Sequence, residues 1–420
     1  MTLRKNKILV AGVAFTLTAL TTSMYAGGFQ LYEQSAAGLG EYHAGGAAKA
    51  DDASTEFYNP AGMVRLKHTE ISTGLTVVAL NTHFNGQAGL DPSSLAPASG
   101  SGNTTNPIPN FHLVTPFNFK GRKAAFGFGI TTPFGLSTQY PGSTDTNAMG
   151  VAGTNTTIIT VNASPSLALA LTPKLSAGLG VDFMFGKADY NGDIGDASAS
   201  YTNLLQGSGW GYNAGLLWVP AKNTRIGLTY RSHITINAHG PSTIGPYQTT
   251  ATAKLSIPAV TELSVFQQAT SKWSIMASAM YTQWSIFKTL QINNMAIGQL
   301  IPSQGTDIEN FDYKNSWFGA IGTEYQLNQR NAISLGLGYD QTPTRDGHRD
   351  SRLPDANRMA YSIGWEHKFN CQTTFNIGYA YLHMGKANID NSLDKGNTVV
   401  KGTSTGHANI VGVQLTYSFA

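Results

Sequence analysis

His407-Ala408-Asn409-Ile410-Val411-Gly412-Val413-Gln414-Leu415-Thr416-Tyr417-Ser418-Phe419-Ala420 closes the chain, and its alternation decides the fold. Asn409, Val411, Val413, Leu415, Tyr417 and Phe419 form one set, mostly apolar and ending in two aromatics. Ala408, Ile410, Gly412, Gln414, Thr416 and Ser418 form the other, mostly small or polar. A strand sends alternate side chains to opposite faces. One face therefore suits lipid and the other a crowded polar lumen, the two-residue period of a transmembrane β-barrel strand. A half-buried sheet produces the same pattern once, so recurrence along the chain carries the reading.

Recurrence is found from Thr69 onward. Alternating segments occupy residues 69–84, 109–118, 123–136, 156–171, 174–189, 208–219, 223–238, 252–268, 272–293, 315–327, 330–342, 357–369, 372–387 and 405–419. These are about fourteen strands, an even number, as single-chain bacterial barrels require. Met359, Tyr361, Ile363 and Trp365 face lipid in one of them, while Arg358, Ser362, Gly364, Glu366 and Lys368 face in. Short connections such as Phe119–Arg122 and Asn370–Gln372 alternate with long ones such as 85–108, 137–155, 191–207 and 294–314. Short turns belong to the periplasmic end and long loops to the cell exterior. Trp210, Trp218, Trp273 and Trp317 sit near strand ends, as aromatic girdles do.

Composition agrees. The 420 residues are 12% charged with 46 Gly, about half the charge of an ordinary soluble domain. Arg4, Lys5 and Lys7 precede an apolar run, Ile8 to Leu20, and small residues follow to Ala26. That is a secretory signal peptide over residues 1–26, with cleavage after Ala26. The chain carries 27 basic and 24 acidic residues; the three leader cations account for the excess. The near-neutral remainder argues against nucleic acid as a partner. Cys371, the single cysteine, has no partner for an internal disulfide. No further long apolar run exists, so a membrane location requires a closed barrel.

Residues 27–66 do not alternate. They are rich in small residues and turns, with Phe29, Leu31, Tyr32, Phe57 and Tyr58 to bury. They read as a compact plug for the lumen of a barrel spanning residues 67–420.

Several stretches resemble the FadL family of outer-membrane long-chain fatty-acid transporters. They are Gly211-Tyr212-Asn213-Ala214-Gly215 followed by Thr229-Tyr230-Arg231-Ser232, Tyr281-Thr282-Gln283-Trp284, and Tyr339-Asp340-Gln341-Thr342-Pro343. Arg352-Leu353-Pro354-Asp355-Ala356-Asn357-Arg358 follows them. In the N-terminal segment, Gly28-Phe29-Gln30-Leu31, Ala50-Asp51-Asp52-Ala53 and Asn59-Pro60-Ala61 also match. The resemblance covers the whole mature chain. It implies a monomeric fourteen-stranded barrel in the outer membrane of a Gram-negative bacterium. It also implies an N-terminal hatch, ligand sites in the lumen, and sideways release at a kinked third strand. Some relatives carry aromatic hydrocarbons instead of fatty acids. Phe29 and the Asn59-Pro60-Ala61 turn are the expected hatch and gate residues, the turn lying beside the kink. Pro133 and Gly135 are the expected kink, because Pro cannot donate to the ladder and Gly leaves room.

A fatty acid needs apolar contacts for its tail and a cation for its carboxylate. Inward Arg225, Arg231 and Lys254, with Arg358 nearer the outer rim, are the candidates. Their competing role is to pair with inward Asp182, Glu262, Glu324 and Glu366. No cofactor motif or metal-ligand spacing is present, and no enzyme is expected. Gly402-Thr403-Ser404-Thr405-Gly406 matches the nucleophile elbow of hydrolases, but it leads into a strand where the elbow needs a strand-to-helix turn. A general porin is the remaining alternative; the N-terminal plug speaks against it.

Overall fold

A computed structural model describes residues 27–194, 199–302, 305–391 and 398–419. The expected leader lies outside the described residues. Twenty strand segments join in one antiparallel sheet whose last segment pairs with its first, from Glu70 opposite Ser418 to Gly89 opposite Val399. Six pairs of consecutive segments are single strands interrupted by a break, so the wall is a closed barrel of fourteen strands.

They are β1 (Glu70–Gly89), β2 (Ala96–Ser101 and Thr104–Phe119), β3 (Arg122–Thr131 and Gly135–Gln139), β4 (Asn155–Thr172) and β5 (Leu175–Ile194). Next come β6 (Ala199–Ala221), β7 (Thr224–Arg231 and Ile234–Ile244), β8 (Tyr247–Ile257 and Val260–Gln268) and β9 (Trp273–Thr282 and Thr289–Asn293). The wall finishes with β10 (Thr306–Asn310 and Ser316–Gln326), β11 (Asn331–Asp340), β12 (Arg358–Lys368), β13 (Thr373–Asp390) and β14 (Val399–Ser418).

The alternation sorts as the pattern requires. In β11, Leu335, Leu337 and Tyr339 are exposed on the outside, while Ser334 and Asp340 are buried inside. Trp210 and Trp317 project outward near the outer end, Trp218 and Trp273 near the inner end. Ser404 lies within β14 opposite Phe84 and Ala387, so the Gly402–Gly406 motif forms no elbow.

Three expectations need correction. The stretch 85–108 is no long loop: β1 and β2 continue as a ladder, with Ala88 opposite Ala96. The described residues of 191–207, namely 191–194 and 199–207, likewise prolong β5 and β6, Asn191 pairing with Thr202. Both extensions stand beyond the outer girdle, where neither face needs lipid, so they carry no apolar period. In β9 the strand stops at Thr282, and a short 3-10 turn, Trp284–Ile286, swings Trp284 fully inside.

Residues 27–66 fill the inner part of the lumen, largely buried, with two one-turn helices (Gly46–Lys49 and Thr55–Tyr58) and two 3-10 turns. This segment touches inward positions around the ring. Gly45 N donates to Ser278 Oγ at 2.9 Å and Ala47 N to Ser264 Oγ at 3.1 Å. Ser362 Oγ donates to Gly40 O at 2.9 Å, and Ser176 Oγ to Ala61 O at 2.8 Å. At Gly227 and Gly336 a side chain would collide with the backbone of Ala47 and Glu41. Glycine on the inner face is thus what lets this backbone reach the wall.

Candidate ligand cavity and the break in the third strand

Above the N-terminal segment, inward positions turn from hydroxyls to hydrocarbon. Ile158 of β4, Leu205 of β6, Ile236 of β7, Leu255 of β8 and Ile292 of β9 converge on one cavity. Phe29 forms part of its floor, and Phe287, Phe311 and Leu353 close it further. Its empty volume, including space open to solvent, is about 780 Å³.

Lys187 and Arg352 border it. Lys187 shares the outward face with Phe183 and Phe185 and lies 3.7 Å from Asp189. Arg352, from the loop between β11 and β12, enters from above. It donates to Thr156 Oγ1 at 2.7 Å, to the Asn191 carbonyl at 2.8 Å and to Tyr201 Oη at 3.1 Å. Its guanidinium lies 4.1 Å from the Tyr190 ring centre. A rigidly held cation thus meets an apolar chamber, the arrangement a carboxylate with a hydrocarbon tail requires.

None of the four cations expected from sequence borders this cavity. Arg231 pairs with Asp182 and donates to Phe57 O at 3.1 Å. Arg225 donates through Nε to Ala48 O at 3.0 Å and covers the Phe266 ring at 3.7 Å. Arg358 is buried between Asp340 at 3.2 Å and Asp355 at 3.0 Å. Lys254 points outward, which corrects the expectation of an inward residue. Ala253, Leu255 and Ile257 are the buried positions there, whereas Glu262, Ser264 and Phe266 are buried after Pro258–Ala259. The break changes the parity of β8, and a slip of one residue exchanges the faces. The Glu324 expected to pair with a wall cation binds Lys49 of the N-terminal segment at 3.0 Å.

Phe29 is the centre of an aromatic knot. Its ring centre lies 4.7 Å from Trp284, 5.3 Å from Phe287 and 6.0 Å from Phe134, each edge-on. Beneath the knot lies a second cavity of about 510 Å³, bordered by Leu31, Tyr58, Pro133, Phe134, Arg231 and Met280. Phe29 and Phe134 therefore stand between the two chambers.

The second chamber abuts the break in β3. The ladder stops at Thr131 and resumes at Gly135. Within the gap, the N-terminal segment replaces the missing strand partner. Leu31 N donates to Pro133 O at 2.9 Å and Gly135 N to Phe29 O at 2.8 Å. The Gln34 amide accepts from Thr132 N at 2.8 Å and donates to Thr132 O at 2.8 Å. Unpaired backbone in a membrane costs several kcal/mol per group, so this docking is what allows the wall to be broken. Beyond the gap, Gly135–Gln139 pairs with β4 alone, and Thr104–Asn110 of β2 pairs with β1 alone among the described residues. An outer cleft of about 560 Å³ opens there, lined by Asn81, Thr105, Asn106 and Gln139 among others.

Asn59-Pro60-Ala61 does not lie beside this break. Asn59 Nδ2 donates to Ala47 O at 2.7 Å and to Leu216 O at 3.0 Å, and Pro60 packs over Gly178. The turn thus sits against β5 and β6, and Phe29–Gln34 takes the place expected for it. Glu56 anchors the segment nearer the break, accepting from Ser164 at 2.8 Å and Ser166 at 3.1 Å.

The family model described as outer membrane protein transport protein (OMPP1/FadL/TodX) matches residues 17–419. The chain belongs to this family. It is 29% identical to a long-chain fatty acid transport protein of Escherichia coli O6:H1, over 99% of this chain and all of that one. It is 30% identical to outer membrane protein P1 of Haemophilus influenzae, covering 96% and 99%. Among solved structures, a FadL homologue of Pseudomonas aeruginosa superposes with a TM-score of 0.82 at 23% identity, over 94% of this chain and all of that one. The toluene transporter TodX of Pseudomonas putida gives 0.67 at 14% identity, with the same coverage. These two likenesses speak to fold. Family membership and the barrel place this FadL-family chain in the outer membrane as a transport protein for hydrophobic compounds.

Proposed function

We propose that this chain takes up long-chain fatty acids, holding them in the lumen and releasing them sideways into the membrane. The observation that carries the reading is the apolar chamber capped by Arg352. Each methylene buried there contributes about 0.8 kcal/mol, and the guanidinium supplies a charge-assisted bond for the head. The relatives named as fatty-acid transport proteins support the same substrate. Residues 27–66 act as the plug. The tail then passes the Phe29–Phe134 knot to the second chamber, where Arg231 is the next cation. It leaves through the break at Pro133–Gly135, because an apolar tail gains nothing by entering periplasmic water. A monomer suffices for this path.

Aromatic or alkane hydrocarbons are the second reading, favoured by the scarcity of polar groups in the upper chamber. Binding of oleate and of toluene to detergent-solubilised protein separates them. Arg352→Gln is expected to weaken oleate binding roughly tenfold or more and to leave binding of oleyl alcohol unchanged. Tight toluene binding with no measurable oleate binding would reverse the assignment.

A further inference from the structure

Two buried carboxylates and one guanidinium meet at the point where the described chain begins. Asp340, Asp355 and Arg358 are each no more than 3% exposed. Arg358 Nη2 lies 3.2 Å from Asp340 and 3.0 Å from Asp355. The remaining donors are Tyr32 Oη, 3.2 Å from Asp340, and the Thr342 hydroxyl on Asp355. The site therefore carries one more negative than positive charge, and a buried uncompensated charge is expensive. Of the next charged groups felt by the pair, Arg349 already pairs with Asp346 at 2.7 Å and Glu33 holds its proton up to about pH 7, so neither supplies the missing charge.

Two nitrogens of the N-terminal segment complete the coordination. Gly27 N lies 2.7 Å from Asp340 Oδ2, and Gly28 N donates to Asp355 Oδ2 at 3.0 Å. Both glycines are buried. A Cβ on Gly27 would fall 2.6 Å from the Asp340 carboxylate, and one on Gly28, at φ +67°, would fall 2.7 Å from the Trp284 ring. The seat thus takes glycine and no side chain.

We propose that Gly27 is the mature N-terminus and that its α-ammonium is the missing cation of this site, so that removal of the leader is what seats the N-terminal segment. Hydrolysis of the Ala26–Gly27 bond gives the leader a carboxylate and gives Gly27 an ammonium. The nitrogen facing Asp340 changes from a neutral amide to a charged donor. Charge-assisted bonds of this kind are about twice as strong as neutral ones and have this length. Two ammonium or guanidinium charges then face two carboxylates. Gly28 and Phe29 follow directly, so the same contact positions the aromatic knot and the residues that bridge the break in β3. The inference is independent of which substrate the upper chamber holds.

Three measurements test it. The intact mass of protein purified from outer membranes is expected to place the first residue at Gly27; any other start overturns the proposal. Full-length mature chain is then refolded with a free or an Nα-acetylated Gly27, and barrel formation is verified by heat-modifiable gel mobility. Acetylation is expected to raise proteolytic cleavage within residues 27–66 by roughly tenfold or more with the barrel intact. Asp340→Asn in the acetylated chain restores the charge balance and is expected to recover most of that protection. Equal protection of free and acetylated chains, or no recovery by Asp340→Asn, refutes the role of the ammonium.

Discussion

The lumen holds two different materials. Its inner part is packed by residues 27–66, whose backbone bonds to wall hydroxyls such as Ser176, Ser264 and Ser362 across glycines. Its outer part is lined by Ile158, Ile236, Leu255 and Phe287 and stays open. A hydroxyl-rich contact exchanges water for protein partners at small net gain per bond. An apolar chamber cannot be satisfied by water and favours a hydrocarbon occupant. The difference teaches how one lumen can be both filled and hollow: hydroxyls and glycines let a backbone pack against the wall, and branched apolar side chains leave a space it does not enter.

The comparison is broken most severely by removing one material. Deletion of Gly27 to Pro60 is expected to raise single-channel conductance in planar bilayers by an order of magnitude or more, since a lumen this wide fills with water when unplugged. An unchanged conductance would mean that the segment does not close the channel.

The next largest effect concerns the junction of the two. Replacing Pro133 with Thr and Gly135 with Val supplies β3 with a donor and with strand-forming side chains. Uptake of oleate at matched surface expression is expected to fall severalfold while oleate binding to the purified protein persists. Retained uptake in a variant whose strand is continuous would move the exit elsewhere.

A smaller change sharpens the upper chamber. Ile236→Ala removes buried methyl groups from its wall, and Ile236 is fully buried. Oleate affinity should drop by about 1–2 kcal/mol equivalent, from lost contacts of roughly 0.8 kcal/mol per methylene. Conductance should stay at the wild-type level, because the lower material is untouched.

The smallest effect is a pH dependence of seating. Burial lifts the Glu33 carboxyl from 4.5 to about 7, so the seated segment keeps a proton that the released one loses. Its contribution is fully present below about pH 4.5 and is lost as pH rises to about 7. His43 works the opposite way, since burial lowers it from 6.5 to about 3 and seating excludes its proton. The test is therefore a difference. The melting temperature of wild type relative to Glu33→Gln should decline between pH 5 and pH 8, by a shift worth at most a few kcal/mol. A constant difference would remove Glu33 from the seating equilibrium.

The sequence by itself determined the class of wall. A period of two, repeated about fourteen times with aromatic ends and small inner residues, leaves no other way to satisfy a backbone in lipid. It also placed the break, since Pro133 and Gly135 act on the ladder through their own covalent structure. Parity beyond a break was decided only by the fold. Lys254 obeys the alternation of its own half of β8, which reverses across Pro258–Ala259, because one irregular residue exchanges the faces. Asp182 was among the acids expected to pair, but which acid each cation takes was not legible. Asp182 lies 49 positions from Arg231 and Asp340 lies 313 from Gly27, and no local pattern records which inward charges the closed ring brings together. The upper chamber belongs to the same category. Its wall draws residues from each of several strands, and a loop residue, Arg352, which lies outside every alternating segment, supplies its cation.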